Sequence, residues 1–131
     1  VNLDQLRYAE THEWVNVAAE GGAQVATVGI TDHAVELLTD LVYMDLPAVG
    51  AKVSAGTSFG EVESVKATSD LYSPVDGEVI AVNSDLPNNL DWLSSDPFGK
   101  GWIIKVRLSS DAALGKLLDR TAYLKQVAEH G

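Results

Sequence analysis

Short runs in which apolar and polar positions alternate, cut by clusters of turn residues, follow one another along most of the chain, and this pattern predicts a protein built mainly from β-strands with short helices. A lead over residues 1–10 predicts one turn of helix and an edge strand at Arg7 and Tyr8. Trp14-Val15-Asn16-Val17 opens a strand, Gly21-Gly22 turns it, and residues 25–30 return. The small Ala26 and Gly29 on the return predict close packing against its backbone. Thr31 or Asp32 then caps a short helix bearing Ala34, Val35, Leu37 and Leu38, because a side-chain oxygen there accepts from unpaired amides of the first turn. Residues 41–46 are almost continuously apolar, which predicts a buried strand ended by Pro47 and Gly50.

Residues 59–65 and 67–72 are strand-like on either side of Lys66, and Ser73-Pro74 and Asp76-Gly77 supply turn chemistry beyond them. Lys66 therefore falls at a hairpin tip, its amine exposed. Position alone assigns it to solvated surface, where most lysines lie. Gly-Glu-Val occurs at residues 60–62 and again at 77–79, as expected of two similar β motifs related by a pseudo-two-fold around the hairpin. Residues 83–100 are irregular, with a helical turn at 90–93. The clearest alternation puts Trp102, Ile104, Val106 and Leu108 inside and Ile103, Lys105 and Arg107 outside. Ser109 or Ser110 then caps a helix with Ala113, Leu114, Leu117 and Leu118 on one stripe, and residues 121–129 form another with Tyr123, Leu124, Val127 and Ala128. The C-terminal helical segment thus spans about 110–129 and packs on the β core. Many short strands flanked by short helices predict a small barrel or sandwich, not a parallel α/β sheet.

Size narrows this to a single domain over residues 1–131, since 131 residues at 46% hydrophobic composition fill one core and not two. A formal charge of −10 disfavours nucleic acid and anionic membrane as partners and suits basic protein faces. The absence of cysteine removes disulfides, thiolate metal sites and cysteine nucleophiles, so any redox chemistry must be borne by an attached group. No apolar run approaches the roughly 20 residues that span a bilayer, and residues 1–5 lack the regions of a signal peptide.

Glu61 and Glu63, two apart on a strand, share a face, and a solvated outer face accounts for them better than a catalytic pair. His12, His33 and His130 are scattered without metal-binding spacing. There is no nucleophile elbow, phosphate loop or dinucleotide fingerprint, so independent catalysis has little support.

Glu63-Ser64-Val65-Lys66-Ala67, followed by Ser69-Asp70, Ser73-Pro74 and Gly77-Glu78-Val79, resembles the lipoate-attachment hairpin of the glycine cleavage system H protein family. His12-Glu13-Trp14-Val15, the block from Val28-Gly29-Ile30 through Thr31-Asp32-His33-Ala34, Leu46-Pro47 with Val49-Gly50, and Gly101-Trp102 stand in that family's order and spacing, so the resemblance covers nearly the whole chain. It implies a flattened barrel-sandwich hybrid of two antiparallel sheets, of the lipoyl/biotinyl-carrier type, and a carrier, not an enzyme. By the same resemblance Lys66 bears lipoate, attached by a lipoate ligase or a lipoyl/octanoyl transferase. The arm takes an aminomethyl group from a pyridoxal-phosphate-dependent glycine decarboxylase to a tetrahydrofolate-dependent aminomethyltransferase and is reoxidised by dihydrolipoamide dehydrogenase. Thr11, Glu13 and Asp70 are implied to hold the amine of the loaded arm, and Glu61 and Glu63 to help the ligase or a partner read the hairpin. The expected state is a monomer in the bacterial cytoplasm or the mitochondrial matrix.

Thr39, Ser94 and Phe98 depart from the family pattern, where Gly, Asn and Tyr are usual. They leave open a lipoate-relay carrier of the same fold as the alternative. Biotin carriers flank their lysine with methionines, whereas Lys66 has Val65 and Ala67 beside it and the only methionine is Met44.

Overall fold

The alternating pattern before residue 31 folds into a hairpin of two eight-residue strands, β2 (Glu13–Glu20) and β3 (Ala23–Ile30), with β1 (Arg7–Tyr8) on the outer edge of β2. Gly21 and Gly22 close it at φ 58° and 81°, the left-handed pair that a tight hairpin needs and that glycine adopts without a Cβ clash. The structure, a computed structural model, describes residues 2–130. Val1 and Gly131, the ends of the expected 1–131 domain, and the side chain of His130 lie outside the described residues.

After α1 (Asp32–Leu38) come β4 (Leu41–Asp45), β5 (Lys52–Val53), β6 (Ser58–Ser64), β7 (Thr68–Tyr72) and β8 (Asp76–Val82), then α2 (Asp91–Ser95), β9 (Ile104–Ser110) and α3 (Arg120–His130). Two open antiparallel sheets result: β1-β2-β3-β9-β8-β5, and β4-β6-β7. Val28, Val62, Val79, Ile104 and Val106, contributed by both sheets, are fully buried in one core, which Ala34 and Val35 of α1 and Leu93 of α2 join. A smaller cluster, Leu6, Tyr8, Trp14 and Tyr123, fastens α3 to the β1-β2 edge. In it the rings of Tyr8 and Tyr123 stack at 4.7 Å.

Thr31 is the cap of α1, its hydroxyl accepting from the Ala34 amide at 3.2 Å. The repeated Gly-Glu-Val has a shared cause. Gly60 and Gly77 each adjoin a bulge, and a Cβ there would meet the Asp45 carbonyl oxygen at 2.4 Å or that of Arg107 at 2.1 Å. Gly29 leaves room for the Trp14 ring in the same way.

Four expectations need correcting. Residues 41–46 are not a buried strand: β4 is an edge strand of the small sheet, bulged between Leu41 and Tyr43, and only Met44 of it is buried while Val42, Tyr43 and Asp45 are exposed. Asp76-Gly77 is no turn but the start of β8, where Gly77 pairs with both Val53 and Leu108. Ile103 is buried, not outward, because β9 starts one residue later and Ile103 lies between Val28 and Asn83, bonded to both through its backbone. The helix expected after Ser110 is a 3-10 turn over Ala112–Lys116; Leu117 is extended and Leu118 bridges to Tyr8. Asp119 caps α3, and on that helix Tyr123 is buried while Leu124 is exposed.

Thr39 ends α1 at φ 66°, a left-handed conformation that a β-branched residue adopts only under strain. Thr39→Gly is expected to stabilise the fold by about 1 kcal/mol, the strain relieved exceeding the chain entropy a glycine adds. Urea unfolding with an unchanged slope and a raised midpoint is the signature; an unmoved or lowered midpoint contradicts it.

Candidate functional site

The tip of the β6-β7 hairpin is built around one serine. Ser64 is buried, and its hydroxyl accepts from the amides of Ala67 at 3.2 Å and Lys66 at 3.4 Å while its own amide donates to the Ala67 carbonyl at 2.8 Å. A side chain that mimics a backbone partner lets the loop close without glycine. Val65 donates its amide to the Asp40 carbonyl at 3.0 Å, which ties the loop to the residue after Thr39. Val65, Lys66 and Ala67 are exposed, so the Lys66 amine stands in solvent on a braced turn.

Thr11, Glu13 and Asp70 come together at a cleft of about 190 Å³, which Ser69 also lines beside apolar walls from Ile30, Leu37, Leu38, Val62 and Leu71. Glu13, the first residue of β2, is buried to 2% exposure. The Thr11 hydroxyl donates to its Oε1 and the Tyr72 amide to its Oε2 at 3.4 Å. Burial outweighs these bonds and that from its own backbone amide, and pushes the Glu13 carboxyl up to about 7. Asp70 and Thr11 are exposed, and Tyr72 reaches the Asp70 carboxylate at 3.5 Å.

Glu61 is exposed and Glu63 half-buried on the outer face of the small sheet. Glu61 stands in register between Asp45 and Asp70, so three carboxylates cross the sheet in one row. Like charges directly opposite one another are unfavourable in a sheet, and nothing in the fold itself requires this row. Phe98 packs on Trp14, whose indole NH donates to the Pro97 carbonyl at 3.0 Å; Ser94 is exposed on α2.

A polar cluster behind the cleft was not foreseen. His12 and His33, far from scattered, bring their rings to 5.0 Å, and the Tyr123 hydroxyl lies 2.8 Å from His12 Nδ1 and 2.6 Å from Thr31 Oγ1. Burial and the neighbouring His33 hold His12 below the usual histidine range, toward the neutral form. No group of three possible metal ligands occurs among the described residues. Tyr123 is 111 residues from His12, so no local signal pairs them.

The sequence model of the glycine cleavage H-protein family matches residues 6–130. A glycine cleavage system H protein of Rhodopirellula baltica is 62% identical over 126 residues, covering 96% of this chain and 95% of that protein. One from Aeromonas hydrophila is 48% identical, covering 95% of each. The crystal structure of a glycine cleavage system H protein from Mycobacterium marinum superposes with a TM-score of 0.86 at 39% identity, covering 98% of this chain and 99% of that one.

The carboxyl of Glu13 titrates near 7 when folded and near its ordinary value of 4.5 when unfolded. A folded-state value raised in this way gives stability that is fully present below pH 4.5 and lost as pH rises toward 7. Relative to Glu13→Gln, the wild-type chain is expected to lose roughly 3 kcal/mol of folding stability between pH 4.5 and 7.5. Urea unfolding of the two proteins across that range measures it, and a difference independent of pH contradicts it.

Proposed function

The chain belongs to the glycine cleavage H-protein family, and from that premise we propose that it carries its lipoyl group on Lys66 and shelters the loaded arm beside Glu13. It is the lipoyl carrier of the glycine cleavage system, a subunit that shuttles the aminomethyl group of glycine and does not itself catalyse. The other members of that system, the decarboxylase, the aminomethyltransferase and dihydrolipoamide dehydrogenase, are its partners. The lipoate-relay alternative is not favoured, since the relatives are named for glycine cleavage.

The observation that carries the reading is an exposed amine on a braced hairpin in the same small sheet as a cleft with apolar walls and one buried carboxyl. These residues fit a lipoyl-lysine arm. When bound, the lipoyl group supplies a dithiolane that takes up the aminomethyl group as it is reduced. The chain does the rest. Lys66 tethers the arm, which keeps its end at high effective concentration near the cleft. Leu37 and Leu38 of α1 offer it apolar surface. Glu13 receives the cationic amine as a carboxylate, assisted by the Thr11 hydroxyl and by Asp70. Arrival of the positive charge drives Glu13 fully to the ionised form, because an opposite charge at contact opposes the burial term.

The row Asp45, Glu61 and Asp70, with Glu63 two pairs nearer the tip, is the face by which the lipoate ligase or transferase and the catalytic partners read the hairpin. The chain acts as a monomeric carrier domain over residues 1–131 in which the 110–129 segment is part of the mount. Among the described residues no helix is long and apolar enough to cross a membrane, and the bacterial relatives favour the bacterial cytoplasm over the mitochondrial matrix.

Intact mass after incubation with lipoate, ATP and lipoate ligase tests the attachment: the wild-type chain gains one lipoyl increment and Lys66→Arg gains none. An increment on the variant, or on neither, overturns it. With limiting ligase, Glu63→Ala is expected to be modified about two- to five-fold more slowly, the worth of one exposed charge pair; modification at the wild-type rate removes Glu63 from recognition.

A further inference from the structure

The cleft has two walls that a single backbone bond joins directly, the Thr31 amide donating to the His12 carbonyl at 3.0 Å. One is the loop of residues 9–12, which carries Thr11 and leads into Glu13; the other is α1, which contributes Ala34, Leu37 and Leu38. His12 sits in the loop at φ 78°, a left-handed conformation that a side-chain-bearing residue keeps only if the surroundings hold it. The loop is also thin. His12 faces the cleft on one side and, on the other, a surface groove of about 610 Å³ along α3.

α3 contributes no side chain to the cleft, yet it bonds both walls. Gln126 Nε2 donates to the Glu10 carbonyl at 2.9 Å, and the Tyr123 hydroxyl lies 2.8 Å from His12 Nδ1 and 2.6 Å from Thr31 Oγ1. One direction of bonding uses every proton in that buried chain. The Ala34 amide donates to Thr31 Oγ1, the Thr31 hydroxyl to Tyr123 Oη, and the Tyr123 hydroxyl to the unprotonated Nδ1 of His12. Tyr123 is itself buried, 1% exposed and stacked on Tyr8.

We infer that the Tyr123 hydroxyl is a positioning group for the sheltered amine: by fastening His12 to the cap of α1 it sets the width of the cleft and the place of the Glu13 carboxyl within it. This rests on the reading of the cleft as the arm's shelter. The role is indirect, since Tyr123 touches neither Glu13 nor the cleft.

Tyr123→Phe keeps the ring and its stack and removes only the oxygen. Two measurements decide. In the unlipoylated chain, carbon-detected NMR follows the Glu13 carboxyl, whose midpoint is expected to fall from near 7 toward the ordinary carboxylate range as the loop loosens and water enters. In the lipoylated, loaded chain, the aminomethyl group, followed by the formaldehyde and ammonia that water releases from it, is expected to be lost about five-fold faster, the equivalent of one buried hydrogen bond. Lipoylation of Lys66 should proceed at the wild-type rate. A Tyr123→Phe chain with an unshifted Glu13 midpoint and a wild-type lifetime overturns the inference. Glu13→Gln separates the two levels: if it leaves the lifetime unchanged, the shelter reading fails, while the Glu13 titration in Tyr123→Phe still judges the positioning.

Discussion

A carboxyl group buried at the first residue of β2 is the constraint around which the cleft side of this protein is arranged. Removing Glu13 from water costs free energy whenever it is charged, and the fold offers the Thr11 hydroxyl, one long bond from the Tyr72 amide and the backbone amide of Glu13 itself in return. A residue there that served stability alone would be apolar, as its neighbours Trp14 and Val15 are. The acid is tolerated because the two-sheet core behind it is large and continuous, and because β2 is fixed by eight-residue pairing to β3 on one side and by β1 on the other. Stability from the sandwich thus supports a buried acid that the fold itself does not need.

The amine and the acid are handled in opposite ways. Lys66 stands in solvent, where a modifying enzyme can reach it, on a turn that Ser64 makes firm without covering it. Glu13 lies under the surface, where a bound charge is felt strongly because water is excluded. One small sheet serves both, since β6 and β7 end in the hairpin tip and also supply Val62 and Leu71 to the cleft wall.

What was legible in the sequence was local. Gly21-Gly22 and Thr31 act within a few residues of themselves, so composition and spacing find them. Burial of Ile103 and exposure of Val42 and Tyr43 depend on which sheet covers which face, and period-two alternation carries no information about the layer beyond it. Glu13, Asp70 and Thr11 had no signal of their own in spacing or charge. They entered through resemblance, and only the fold explains why they belong together: β2 and β7 lie in different sheets and meet where the Tyr72 amide reaches the Glu13 carboxylate. Tyr123 was foreseen as one apolar position on a helix stripe. Its ring does pack that way, and its hydroxyl, bonded across 92 and 111 residues, was invisible.

The two non-glycine residues with left-handed backbone among those described, His12 and Thr39, both adjoin α1. His12 lends its carbonyl to the Thr31 amide at the start of the helix, and Thr39 ends it. Beyond Thr39, the carbonyl of Asp40 holds Val65 next to the lysine; before Thr31, the cluster around Tyr123 holds the loop of Glu13. A seven-residue helix is too short to be stable by itself, so its position must come from its ends. Strain at both ends is the sign that those positions are imposed from outside the helix. α1 therefore stands between the hairpin loop and the cleft with its place set at both ends, so the two are connected through packed structure.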